Sequence, residues 1–221
     1  MISIQAIQRV YGECLDRAIA WLNRNGYRVN TNVVVVARKT DTGDVIVETT
    51  DTLHFQEWPY RAGSRDKIDI LASLVETISL EEGACRKATL HVNYFQIRGA
   101  TALATESLHY DFGLPPQKKH PICHVQNSNN LVDKLPESFN RTPDASAIRN
   151  RCQNVRIPSA FINLPALFVI LAADHMSETH WHEFMTECVK YFRKLPPVAK
   201  HRMIDEAIAT GRLCAWAWYE M

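Results

Sequence analysis

Eight glycines are scattered along 221 residues so that no two lie within ten positions of each other: Gly12, Gly26, Gly43, Gly63, Gly83, Gly99, Gly113 and Gly211. A loop that cradles phosphates needs two glycines five apart, and a dinucleotide fingerprint needs three within six positions. Neither backbone cradle can be built here. No Gly-x-Ser-x-Gly elbow exists either. P-loop, classical Rossmann and α/β-hydrolase architectures are thereby set aside. A common nuclease core, with an acid two residues before a lysine, is also absent.

The apolar periodicity supplies the elements. Ile4, Ile7, Tyr11, Leu15, Ala18 and Leu22 recur at helical steps over residues 3–25, with Gly26 as a C-cap. Extended segments follow at 33–38, 45–49 and 52–58. Ile68, Leu71, Leu74, Val75 and Ile78 predict a mid-chain helix over Arg65 to Leu80. Three more extended segments run over 88–98, 100–112 and 120–126. Residues 127–154 form a long polar stretch without period, read as a mobile excursion. A short extended return at 155–157 precedes a C-terminal helical cluster at 163–176, 178–194 and 198–210. Cys214 to Tyr219 alternates like a final strand, with Trp216 and Trp218 on one face.

The order of elements predicts one α+β domain over 1–221. It has an antiparallel sheet, an N-terminal helix, one mid-chain helix and a C-terminal helical cluster. The six cysteines are dispersed and read as reduced thiols. The N-terminus lacks a signal peptide's basic and apolar regions, and the longest uncharged stretch, Ile157 to Ala173, is too short to span a membrane. A cytoplasmic protein is expected.

Of nine histidines, three, His109, His120 and His124, fall within Leu108 to His124, together with Asp111. On a strand His109 and Asp111 share a face, as do His120 and His124. Histidine nitrogens and a carboxylate can hold zinc, manganese or iron. His120 and His124 stand about 13 Å apart on a straight strand, so a metal would take His109, Asp111 and one of the two. Cys123 faces away from His124, which argues against a Cys–His nucleophile pair. Arg86-x4-His91 lies on an alternating segment and reads as a chance match to a helical ribonuclease pattern. Asp174, His175, His180, His182 and Glu183 form a second polar group, without the His-Glu-x-x-His spacing of zinc proteases.

The net charge is +1, from 25 Lys and Arg against 24 Asp and Glu. Within Gln117 to Arg156, however, seven basic residues meet three acidic ones. Lys118, Lys119, Arg149, Arg151 and Arg156 are the candidate contacts for an anionic ligand or a partner.

Tyr110-Asp111, His120-Pro121-x-x-His124, Arg156-Ile157-Pro158 and the apolar stretch ending at Asp174-His175 resemble a group of uncharacterised bacterial proteins. Some of those are encoded near antiphage-defence or mobile-element genes. The resemblance covers about residues 108–176 and implies a bacterial origin, with no established activity.

Two functional expectations follow. The first is a non-catalytic interaction or regulatory protein, linked to phage defence by the resemblance. It would need no cofactor and would meet a protein partner through its polar loop and Trp216 and Trp218. The second is a metal-dependent hydrolase acting on a nucleotide or nucleic acid through His109, Asp111 and His124 or His120. The missing catalytic signatures favour the first.

Overall fold

The computed structural model describes residues 3–113, 123–149, 156–158, 163–197 and 199. The chain opens with helix α1 (Ile4–Arg24), capped by Ser3, whose hydroxyl accepts from the Ala6 N–H at 3.1 Å. Gly26 takes a φ of +83° just beyond it, the left-handed turn that ends many helices. Among the described residues ten strands follow: β1 (Arg28–Val29), β2 (Val35–Lys39), β3 (Val45–Thr49), β4 (Leu53–Pro59), β5 (Lys67–Ser79), β6 (Ala84–Arg98), β7 (Thr101–Gly113), β8 (Cys123–Asn127), β9 (Thr142–Asp144) and β10 (Arg156–Pro158). Helices α2 (Leu164–His175) and α3 (Glu178–Phe192) close the described part. Asn163 and Ser177 cap them, accepting from Ala166 and His180. The fold is α+β, as the order of elements predicts.

The body of the sheet is β5, β6 and β7. β6 pairs with β5 on one side and β7 on the other. The outer side of β5 is shared by β4 along Lys67 to Ala72 and β3 along Val75 to Ile78. The outer side of β7 is shared by β9 and β8. Every pairing is antiparallel except β7 with β9.

The mid-chain helix expected over 65–80 is strand β5 instead. Ile68, Ile70, Ala72 and Leu74 point into the helix-side core, while Asp69 and Leu71 are buried on the opposite face. A strand covered on both faces reads as a continuous apolar run, and such a run satisfies a helical template equally well. Pairing with β4 and β6 decides the matter, helped by the β-branched Ile68, Ile70, Val75, Thr77 and Ile78.

Helices cover one face. α1 packs on α3 and β2, and Phe168 of α2 meets the rings of Phe55, Phe184 and Phe192. Glu76 is fully buried there. It accepts from Tyr11 Oη at 2.6 Å and from the Leu164 N–H, at the start of α2, at 2.9 Å. Among the described helices none is long and apolar enough to cross a membrane.

The described part of the polar stretch, Ser128 to Arg149, covers the other face. It is not the free excursion its composition suggests. Val132, Phe139 and Ile148 insert into a second core with Leu71, Phe95, Ala102 and Ala104. Its backbone is held by sheet side chains. Asn93 Oδ1 accepts from the Val132 N–H at 2.7 Å, and Ser107 and Thr52 donate to the carbonyls of Asn130 and Lys134. Arg141 is the main latch, donating to Asp69, Glu57 and the Gly99 carbonyl. Glu57 holds a φ of +50° in the β4 bulge, and its N–H donates to Asp69 at 2.8 Å.

Candidate functional site

Successive residues of a strand face opposite sides. On the loop-side face this alternation collects Thr89 and His91 of β6, His109 and Asp111 of β7, and His124 of β8. The register sets two cross-strand rows. Thr89, Asp111 and His124 form one. His91, His109, Gln126 and the position of Arg156 form the next.

A bulge creates this arrangement. Phe95 pairs with Ala104, but Tyr94 pairs with Glu106, which leaves Thr105 as an extra residue. Had Thr105 paired with Tyr94 in regular order, His91 would oppose Leu108. His109 and Asp111 would then project to the helix side.

Asp111 is the hub. His109 Nε2 lies 2.6 Å from Asp111 Oδ2, and Thr89 Oγ1 donates to Oδ1 at 3.0 Å. His124, fully buried, places Nε2 3.8 Å from the same Oδ2. His91 Nε2 and His109 Nδ1 are in direct hydrogen-bond contact. Burial pushes the Asp111 carboxyl up, but the hydrogen bond and charge of His109, aided by Thr89 and His124, prevail and hold it below the usual carboxylate value. Burial pushes the His91 imidazole down, and His109 adds to this against the pull of Asp133 and Asp111.

An ionised Asp111 only accepts, so His109 presents Nε2–H to it, and in the neutral tautomer of His109 the Nδ1 is bare. His91 then donates Nε2–H to that Nδ1 and carries its own lone pair on Nδ1. The result is a chain from carboxylate to imidazole to imidazole. The side chains of His109 and Asp111 retain 21% and 27% of their accessibility, so the site is reachable from solvent.

The fold therefore brings together His109, Asp111 and His124 from the expected metal set. His120 lies outside the described residues. Among the described residues no three His, Cys, Asp or Glu side chains are arranged to hold a metal ion. Cys123 packs toward the helix-side core, and burial pushes its thiol up to about 12.

The basic stretch is less available than its count suggests. Lys134 pairs with Asp51, Arg141 with Glu57 and Asp69. Arg149 is exposed and acts on Asp144. Arg156 lies in β10, opposite Gln126. Lys118, Lys119, Arg151, Trp216 and Trp218 lie outside the described residues.

The second polar group disperses. His182 Nε2 sits 3.8 Å from Glu178 on the exposed face of α3, while His180 Nδ1 meets Tyr27 Oη at 2.9 Å. His175 is buried beneath the β4–β5 turn.

Sequence reading missed His91. Its signal was the spacing about the Gly99–Ala100 turn, which sets His91 near His109 once a hairpin is assumed. The bulge that completes the match leaves no mark in the residue pattern. The chain matches no protein-family model, no curated protein and no solved structure.

Proposed function

We propose that the histidine–aspartate face is the working site and that the chain is a hydrolase of phosphate-bearing substrates, nucleotide or nucleic acid, acting by general acid–base chemistry. The observation that carries this reading is the Asp111–His109–His91 chain, with its 2.6 Å carboxylate–imidazole bond. His91 Nδ1 is the basic end. It would take a proton from the attacking water, while His109 and Asp111 stabilise the imidazolium that forms. Arg156 stands at the backbone position that continues the cross-strand row of both imidazoles, two strands from His109.

The test is hydrolysis of nucleoside triphosphates, bis-p-nitrophenyl phosphate and an RNA oligonucleotide by the purified protein, with and without EDTA. Asp111→Asn should lower kcat by about 10²–10⁴ while leaving the circular dichroism spectrum unchanged. Activity equal in wild type and His91→Ala would sink the reading. Activity lost in EDTA and restored by zinc or manganese would replace it with the metal-assisted version.

One observation favours a non-catalytic interaction protein instead. Both ring nitrogens of His109 and both oxygens of Asp111 are engaged inside the sheet, as in a purely structural network. In that case Asp111→Asn lowers the melting temperature and no substrate is turned over.

A further inference from the structure

The opposite face of the same strands holds a cavity of about 700 Å³, where α2 ends over β5, β6 and β7. This falls within the range of small-molecule sites. The acid–base chain does not reach it, because the residues that alternate with His109 and Asp111 line it.

His175 forms part of the wall. Its Nδ1 lies 2.9 Å from the Pro59 carbonyl and 3.0 Å from that of Tyr60. Carbonyls only accept, so Nδ1 carries the hydrogen and Nε2 carries a lone pair. The residue is 5% exposed, and Nε2 has no hydrogen-bond partner among the described residues. A buried acceptor left in this state is destabilising, and a donor from a ligand would satisfy it.

Tyr94 and Tyr110 supply aromatic surface, and Leu108 and Ile170 supply apolar surface. Asp174 stands at the exposed rim. Burial pushes the pKa of both phenols up, and the negative charge of Asp174 adds to this, so one carboxylate acts on both phenols and both stay protonated. Three carboxylates line the cavity, Asp66, Glu106 and Asp174, against two cations, Arg61 and Lys67, and with the acceptor nitrogen and two ring faces this balance favours a ligand that is cationic and donates hydrogen bonds.

We propose that this cavity is a binding site for a small protonated amine on an aromatic or apolar body, its ammonium held by Asp174 and its ring against Tyr94 and Tyr110. A compact ammonium suits the site better than a carboxylate, which would meet Asp174 and the lone pair of His175 with like polarity.

Isothermal titration of the full chain with tyramine tests it, with 2-phenylethanol and phenylacetate as the uncharged and anionic comparators. Saturable, one-to-one binding of tyramine is expected, about tenfold or more tighter than either comparator. Asp174→Asn should weaken tyramine by a similar factor. Asp174 is exposed, so this variant should fold. Asp111→Asn should leave tyramine binding unchanged. No saturable binding, phenylacetate binding as tightly as tyramine, or tyramine affinity unaltered by Asp174→Asn would each overturn the proposal.

Discussion

Tyr110 and Asp111 are neighbours in the chain, yet they serve opposite faces of the sheet. Tyr110 lines the cavity beneath the end of α2. Asp111 receives the hydrogen bond of His109 on the side covered by the loop. One peptide unit therefore separates two chemically unlike environments. Substitutions at the two positions should act independently. Tyr110→Ala is expected to weaken tyramine binding and leave phosphoester turnover within about twofold, and Asp111→Asn to do the reverse. Titration and kinetics on the same two variants check this. Loss of both functions in either variant would mean that the faces communicate.

Acid should loosen the molecule early. Burial lowers the pKa of both His91 and His175 from the ordinary 6.5. The unfolded chain then binds more protons than the native one just below pH 6.5, so stability is full above that value and falls as pH drops through the window. Melting temperatures measured from pH 7.5 to 5.5 should decline. His91→Asn should flatten part of the decline, and a slope as steep as wild type would count against a neutral buried His91.

Glu76 should act with the opposite sign. Burial raises its pKa above the ordinary 4.5, against the hydrogen bonds from Tyr11 and Leu164. Its contribution is present below pH 4.5 and lost as pH rises through the raised folded value. Glu76→Gln can keep both contacts, with its oxygen accepting from Leu164 and its amide donating to Tyr11. The stability of that variant relative to wild type should increase between pH 4.5 and 8 by urea denaturation. Glu76→Ala, which orphans two donors, should cost about 2–4 kcal/mol.

Arg141 should govern the loop-side cover. Its side chain is 19% exposed, and its partner Asp69 is 4% exposed. Burial pushes Asp69 up, but hydrogen bonds from His54 and the Glu57 N–H, with the charges of His54 and Arg141, keep it below the ordinary carboxylate value. Arg141→Ala leaves a buried carboxylate with fewer partners, at a cost of about 3 kcal/mol. Limited proteolysis should cut between Ser128 and Arg149 faster in the variant. Cleavage at the wild-type rate would show that Val132, Phe139 and Ile148 hold the segment alone.

Elements governed by local rules were legible in the sequence. α1 announced itself through its apolar stripe and Gly26, and α2 and α3 through Asn163 and Ser177. What escaped was set by tertiary pairing. β5 carries apolar residues on both faces, and only its neighbours distinguish that from a helix. The polar stretch looked unanchored because its three buried apolar residues, Val132, Phe139 and Ile148, follow no period. The candidate site was half legible. Alternation alone joined His109 to Asp111, and a hairpin was needed to add His124. His91 depended on one extra residue, Thr105, whose bulge cannot be seen before the strands are paired.

The sheet's three longest strands run 13, 15 and 13 residues, and each flank is tiled by two shorter strands. A strand of that length with bare amides and carbonyls is a template on which other copies can pair. Keeping copies apart therefore falls to segments distant in the chain. A version cut after Gly113 would retain most of the sheet's hydrogen bonds but uncover the whole outer side of β7. Such a fragment should precipitate as cross-paired aggregate, so shortening this protein from its far end would turn the edge of β7 into a fibre seed.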